Sequence, residues 1–222
     1  MSKPPRLSLG SRLLLASQAM APLTVKVGLV QQLGARTAAL VAPHMPAEQL
    51  HELVLALPSS FTAQVIQHIE PQWVLAVYLS LPDSLHLAVA RELCAQDLYP
   101  TAAAYAECLP ARRLRALIFG LDPDAVLRIA RHIQKIALII ESLRGFSSSF
   151  LCQLTEAAVR ADNLEIALQV IGGLSPARQA DICATLPPAV LGKVLPGLLA
   201  QSGEALYELL PERLQDSLDA RT

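Results

Sequence analysis

Counting from Leu57, Leu81 and Leu186, apolar side chains return four, eight and twelve residues later. The three sets are Phe61, Val65 and Ile69; Leu85, Val89 and Leu93; and Val190, Val194 and Leu198. Steps of four place each set along one face of an α-helix. A fourth set slips by one after Leu109, where Leu114 and Ile118 carry the stripe. A single such helix cannot bury its stripe, so the next helix must cover it.

Proline cuts this pattern into short pieces. It follows Leu57, Glu70, Leu81, Leu109, Asp122, Ser175, Leu186 and Leu210. Proline is tolerated at the first helical position because the missing N–H would be unpaired there anyway. Each step is therefore read as a helix start with proline at that position. Asp122 and Ser175 add capping side chains, and Asp162 with Glu165 reads as a capping box. Pro58 to Pro82 and Pro187 to Pro211 both span 24 residues, and a fixed period of this size is the signature of stacked repeats. The pattern predicts helices over 8–20, 23–41 (bent near Gly34), 46–56, 59–69, 71–80, 83–96, 100–108, 110–119 and 123–143. After a Gly145–Ser149 linker, helices resume over 149–160, 163–172, 176–185, 188–200, 203–209 and 211–219, with no strand. The expected fold is all-α: a right-handed superhelix or solenoid of short helices in degenerate repeats of about 24 residues. Three segments are expected: a basic N-terminal helical segment over 1–45, a repeat sub-domain over 46–145 and a second over 146–222.

Composition agrees with helices. Hydrophobic residues make up 53%, charged residues 17% and aromatics 4%; about 25% charged is usual. The apolar surplus is Ala and Leu, strong helix formers. Every apolar stretch is interrupted before about 18 residues, so no transmembrane helix is predicted. The apolar surface must then be buried between helices or against a partner. The four cysteines, Cys94, Cys108, Cys152 and Cys183, lack CxxC spacing and read as reduced, buried thiols of a cytoplasmic protein.

The net charge of −1 creates no overall field toward nucleic acid, but the charge is uneven. Residues 1–47 hold Lys3, Arg6, Arg12, Lys26 and Arg36 and no acid, which leaves 13 basic and 19 acidic residues for the remainder. Such a start is read as a basic first helix, with a transit peptide or membrane-surface segment as the other reading. The run Leu13–Ala16 is short for a secretory signal, although Ala19-Met20-Ala21 has the form of a cleavage site.

Candidate chemistry is sparse. Glu48 and His51 form one Glu-x-x-His step, whereas a di-iron bundle needs two and further glutamates. The triple serine at 147–149 is read as a helix cap. No cofactor, metal or catalytic residue is expected. Two basic groups could form a patch for an acidic protein or lipid headgroup: Arg112, Arg113 and Arg115 on one predicted helix, and Arg128, Arg131 and Lys135 at i, i+3, i+7 on the next. Stacked bases would need more aromatics nearby than Phe119, so nucleic acid is not expected. Glu204, Glu208, Glu212 and Asp216 form an acidic stripe crossing Pro211. Trp73 and Tyr78 are candidate interface anchors.

The stretch Glu70-Pro71-Gln72-Trp73-Val74-Leu75-Ala76-Val77-Tyr78-Leu79-Ser80-Leu81-Pro82 resembles the helical modules of the flagellar motor switch protein FliG. There a Glu-His-Pro-Gln step precedes an apolar helix; here the histidine is missing from that place. The Leu-Pro-punctuated helices over 46–135 and 174–215 also resemble the N-terminal superhelical domain of MgtE-type magnesium transporters. The resemblance implies a non-catalytic, protein-binding scaffold. The expectation is therefore a cytoplasmic interaction module with an unidentified protein partner or a second copy of itself. The alternatives are a peripheral membrane or lipid-binding protein using its basic N-terminal helix, and a helical enzyme of unfamiliar type.

Overall fold

The computed structural model describes residues 22–220, and all regular structure among them is helical. The helix expected over 8–20 lies outside the described residues. The described residues form two compact units that divide between Leu109 and Pro110.

The first unit contains α1 (Leu23–Leu33), α2 (Ala35–Val41), α3 (Ala47–Ala56), α4 (Ser59–Ile66), α5 (Leu75–Ser80), α6 (Asp83–Ala95) and α7 (Tyr99–Ala106). Short 3-10 turns at Ala42–His44 and Pro71–Trp73 join them. Gly34, at φ +79, separates α1 from α2, a backbone setting that side chains with a Cβ disfavour. The second unit contains α8 (Ala111–Gly120), α9 (Pro123–Ala130), α10 (Ile136–Leu143), α11 (Ser148–Arg160), α12 (Leu164–Gly172), α13 (Pro176–Thr185), α14 (Pro188–Tyr207) and α15 (Glu212–Asp219). α14 is broken at Gly203, whose φ of +55 and ψ of −139 are not helical, so the two helices expected over 188–200 and 203–209 stand on either side of that kink.

Within each unit a helix packs on the next but one. In the first, α1 packs on α3, α2 on α4, α3 on α5 and α4 on α6. In the second, α8 packs on α10, α9 on α11, α10 on α12, α11 on α13 and α12 on α14. Within each unit this is the stacking of a solenoid.

The Leu-Pro steps build the turns, with a correction to their register. Pro58, Pro82, Pro110, Pro187 and Pro211 are N-caps in extended geometry, one residue before the helix. The residue before proline is held extended, so Leu57, Leu81 and Leu186 end the preceding helix at ψ near 150. The leucine amide closes the old helix and the proline carbonyl opens the new one. Leu57 N–H donates to Leu53 O and Thr62 N–H to Pro58 O; Leu186 N–H donates to Ile182 O and Leu191 N–H to Pro187 O. Leu57, Leu81, Leu109, Leu186 and Leu210 are all buried, and burying a leucine contributes about 1.5–3 kcal/mol. Pro71, Pro123 and Pro176 take the first helical position as expected, and Pro188 follows the Pro187 cap into α14.

Asp162 is not an N-cap. It sits at φ +56 beyond α11, and Asn163 N–H reaches back to Ala158 O at 2.8 Å. Asp97 repeats this at φ +56 beyond α6, with Leu98 N–H on Leu93 O at 2.8 Å. Both are left-handed C-terminal caps of 13-residue helices.

The correspondence extends further. α3, α4, α6 and α7 begin at 47, 59, 83 and 99, and α8, α9, α11 and α12 begin 64 or 65 residues later. α13 and α14 follow α8 and α9 by another 65. Leu53, Leu117 and Ile182 share one buried position in this register; Val65, Ile129 and Val194 share another. The units divide at Leu109–Pro110, just ahead of α8, and not at Gly145–Ser149. That turn is internal to the second unit because Phe146 is buried and its carbonyl accepts from Arg178 on α13.

Candidate interaction surface

Trp73 and Tyr78 are drawn into the packing of the first unit. Trp73 is half-buried and packs against the cluster that contains Ala39, Leu50, Val65, Ile69 and Val77. The Tyr78 ring lies 4.6 Å from the His86 ring and 5.1 Å, edge-on, from Tyr105. His86 Nε2 is 2.9 Å from Tyr78 O. Tyr105 donates its hydroxyl to Ile69 O at 3.3 Å; burial first, and then Cys108, hold its phenol well above the usual range.

The expected stripe of Arg128, Arg131 and Lys135 is not one helix face. α9 ends at Ala130 and α10 begins at Ile136, so only Arg128 is helical. The apolar phase requires the break: a straight helix turns about 100° per residue, which would leave Ile139 about 120° from Leu127, yet both are buried. Arg131 instead donates Nε to Asn163 Oδ1 at 2.6 Å and a terminal nitrogen to Ala161 O at 3.3 Å. Lys135 precedes α10.

The other three arginines do share α8. Leu114, Leu117 and Ile118 form its buried face, and Arg112, Ala116 and Phe119 are exposed opposite. Arg113 and Arg115 are half-buried at the sides. Arg115 donates Nε to Ser142 O at 3.0 Å, with its guanidinium against Gly145. Phe119 is 72% exposed. Its ring lies 6.0 Å from Phe150 and 6.5 Å from Phe146, and those two stack at 4.5 Å. Residues 110–121 and 142–150 together hold four arginines and no carboxylate. The exposed carboxylates Asp122 and Glu141 adjoin these two segments, so the arginines beside the aromatic shelf are not its only neighbouring charges.

Phe119 counted in the sequence reading only as the aromatic near the arginines. Its spacing carried the signal: Arg112 and Phe119, seven residues apart, lie opposite Leu114 and Leu117, with Arg115 at the side. Phe146 and Phe150, either side of the triple serine, could not be joined to it from spacing alone. Ser147 does cap α11, accepting from Phe150 N–H at 3.2 Å.

Elsewhere the polar groups serve the fold. Gln179 is buried and donates to Gly172 O at 3.2 Å and Leu174 O at 2.9 Å, while accepting from Ser202 at 2.9 Å. Cys152 and Cys183 are buried, and Cys152 Sγ lies 2.7 Å from Thr185 Oγ1. Burial, then the neighbouring Cys152, push the Cys183 thiol up to about 11. An apolar cleft lined by Val126, Leu154, Ala158, Ile166 and Val170 includes Thr155, whose hydroxyl is committed to Leu151 O. The acidic stripe is exposed across α14 and α15; beside it Tyr207 donates to Asp219 at 2.8 Å, which raises its phenol. Among the described residues, no group of three or more His, Cys, Asp or Glu could hold a metal ion, and no helix is long and apolar enough to cross a membrane.

No family model, curated protein or solved structure matches this chain.

Proposed function

We propose that this chain is a non-catalytic α-helical repeat scaffold that binds protein through exposed helix faces, in the manner of the MgtE-type N-terminal domain and FliG modules. In this reading the 24-residue spacing is a two-helix step, and the longer spacing of 64 or 65 residues is the unit that was duplicated. The observation that carries it is the solvent-facing Phe119 ring on its Phe146–Phe150 support, bordered by Arg112 and Arg115. Monomeric proteins rarely expose such an aromatic shelf without using it, and aromatic and arginine side chains dominate binding hot spots. A photo-cross-linking residue at position 119 should capture protein in cytoplasmic extract, where one at exposed Gln153 does not. Equal capture at both positions would sink the reading.

A peripheral membrane role is the second reading. It is favoured by Leu23 and Val25, exposed on α1 next to Lys26 in the acid-free first part of the chain. Flotation with anionic vesicles tests it; binding indifferent to anionic lipid counts against it.

A further inference from the structure

A face that complements that of Phe119 in charge lies elsewhere on the same chain. α3 and α8 are both 10 residues long and occupy matching places, 64 residues apart. Glu48 corresponds to Arg112, His51 to Arg115 and Leu55 to Phe119; Glu52 corresponds to Ala116. Glu48, Glu52 and Leu55 are exposed on α3, with Leu55 at 48%. The two faces therefore have the same pitch, each ends in an exposed apolar side chain, and their charges are opposite. Glu48, Glu52 and Arg112 have no hydrogen bond or ion pair among the described residues, so each is available.

We propose that a second copy of this chain docks on the Phe119 face, its α3 lying parallel to α8. Glu48 and Glu52 then face Arg112, with Arg115 held beside them by the Ser142 carbonyl, and Leu55 covers Phe119. The antiparallel arrangement is disfavoured because it sets Leu55 against Arg112 and Phe119 against Glu48. This rests on Phe119 marking a protein-binding face. The contact joins two different surfaces, so each added copy leaves one α3 and one α8 free; such a head-to-tail contact extends until a ring closes. The paired charges lie at a wet rim, so the association is weak, with Kd of about 10 μM to 1 mM, and salt loosens it.

Sedimentation of the full chain tests this. The average mass should rise above 23.8 kDa with concentration and fall back as salt is added. Arg112→Glu and Glu48→Arg should each weaken association at least about tenfold, and combining them in one chain should restore it. Phe119→Ser should abolish it with an unchanged circular dichroism spectrum, which guards against a charge variant that fails to fold. A constant 23.8 kDa mass up to about 1 mM, or a double charge variant no better than either single one, overturns the inference. So does a cross-link from position 48 to residues 1–21 of the same molecule, which would give the acidic face to the chain's own basic start. If the mass stays constant while position 119 still captures another protein, the scaffold reading survives and only the self-docking fails. If position 119 captures neither, both fail.

Discussion

Arg115 donates Nε to the carbonyl of Ser142 at 3.0 Å, while the Ser142 hydroxyl donates to Leu138 O at 2.7 Å. Ser142 is fully buried, so the pair ties α8 to the end of α10 where water cannot substitute. Arg115→Leu keeps the stem packing but leaves a buried carbonyl short of a donor. It should destabilise the protein by about 1–3 kcal/mol, read from urea unfolding. Gly145→Ala should lower stability as well, because a Cβ there meets the Arg115 guanidinium and displaces it.

Gln179 satisfies two turn carbonyls and receives Ser202 at once. Gln179→Met preserves volume and removes every one of these bonds. The expected loss is about 2–3 kcal/mol, against about 1 kcal/mol for Ser202→Ala. Equal losses for the two variants in thermal melts would contradict this.

The two halves of a Leu-Pro step act differently. Leu81 is buried, and Leu81→Ala should cost about 2–5 kcal/mol. Pro82 is exposed with φ −71 and mainly restricts the unfolded chain, so Pro82→Ala should cost about 0.4–1 kcal/mol. Paired denaturant curves check the ratio.

Asp162 holds a left-handed backbone that glycine adopts without a Cβ penalty. Asp162→Gly should raise stability by about 0.5–1 kcal/mol, visible as a higher melting temperature; Asp162→Val should lower it.

Cys183 gives a pH signature. Below pH 9.0, its ordinary value, the thiol is protonated in both folded and unfolded chains and stability does not depend on it. Between 9.0 and about 11 the unfolded chain releases the proton first, so stability falls as pH rises. Cys183→Ala should lose this part of the alkaline decline, measured as unfolding free energy over that range.

Much of the fold was legible because most Leu-Pro steps act as a local instruction: at Leu57, Leu81, Leu109, Leu186 and Leu210 the leucine leaves one helix and the proline caps the next, whereas Leu195-Pro196 lies inside α14. The apolar positions Val65, Val89 and Val194 proved buried for the same reason, since four-residue spacing fixes the face. The break after Ala130 was not legible. Arg128, Arg131 and Lys135 keep helical spacing through it, and the bonds from Arg131 to Asn163 and Ala161 reach about 30 residues along the chain. Asp162 misled because an acid three residues before Glu165 imitates a cap, whereas tertiary geometry placed it at the end of α11. Of the candidate surface, the arginines were visible in the sequence. The Phe119–Phe150 pairing was not, because it depends on how two helices of the second unit meet.

Covering each helix by the one two places later keeps most partners close along the chain. Chain-closure entropy is then spent in small instalments, and topology of this kind folds quickly. Assembly can start at α4–α6 or at α9–α11 without waiting for the other. Damage should be local in the same way: a cavity cut beneath α9 ought to loosen amide protection in α11 well before it reaches α4, so hydrogen exchange would read the molecule as a series of neighbourhoods rather than as one cooperative block.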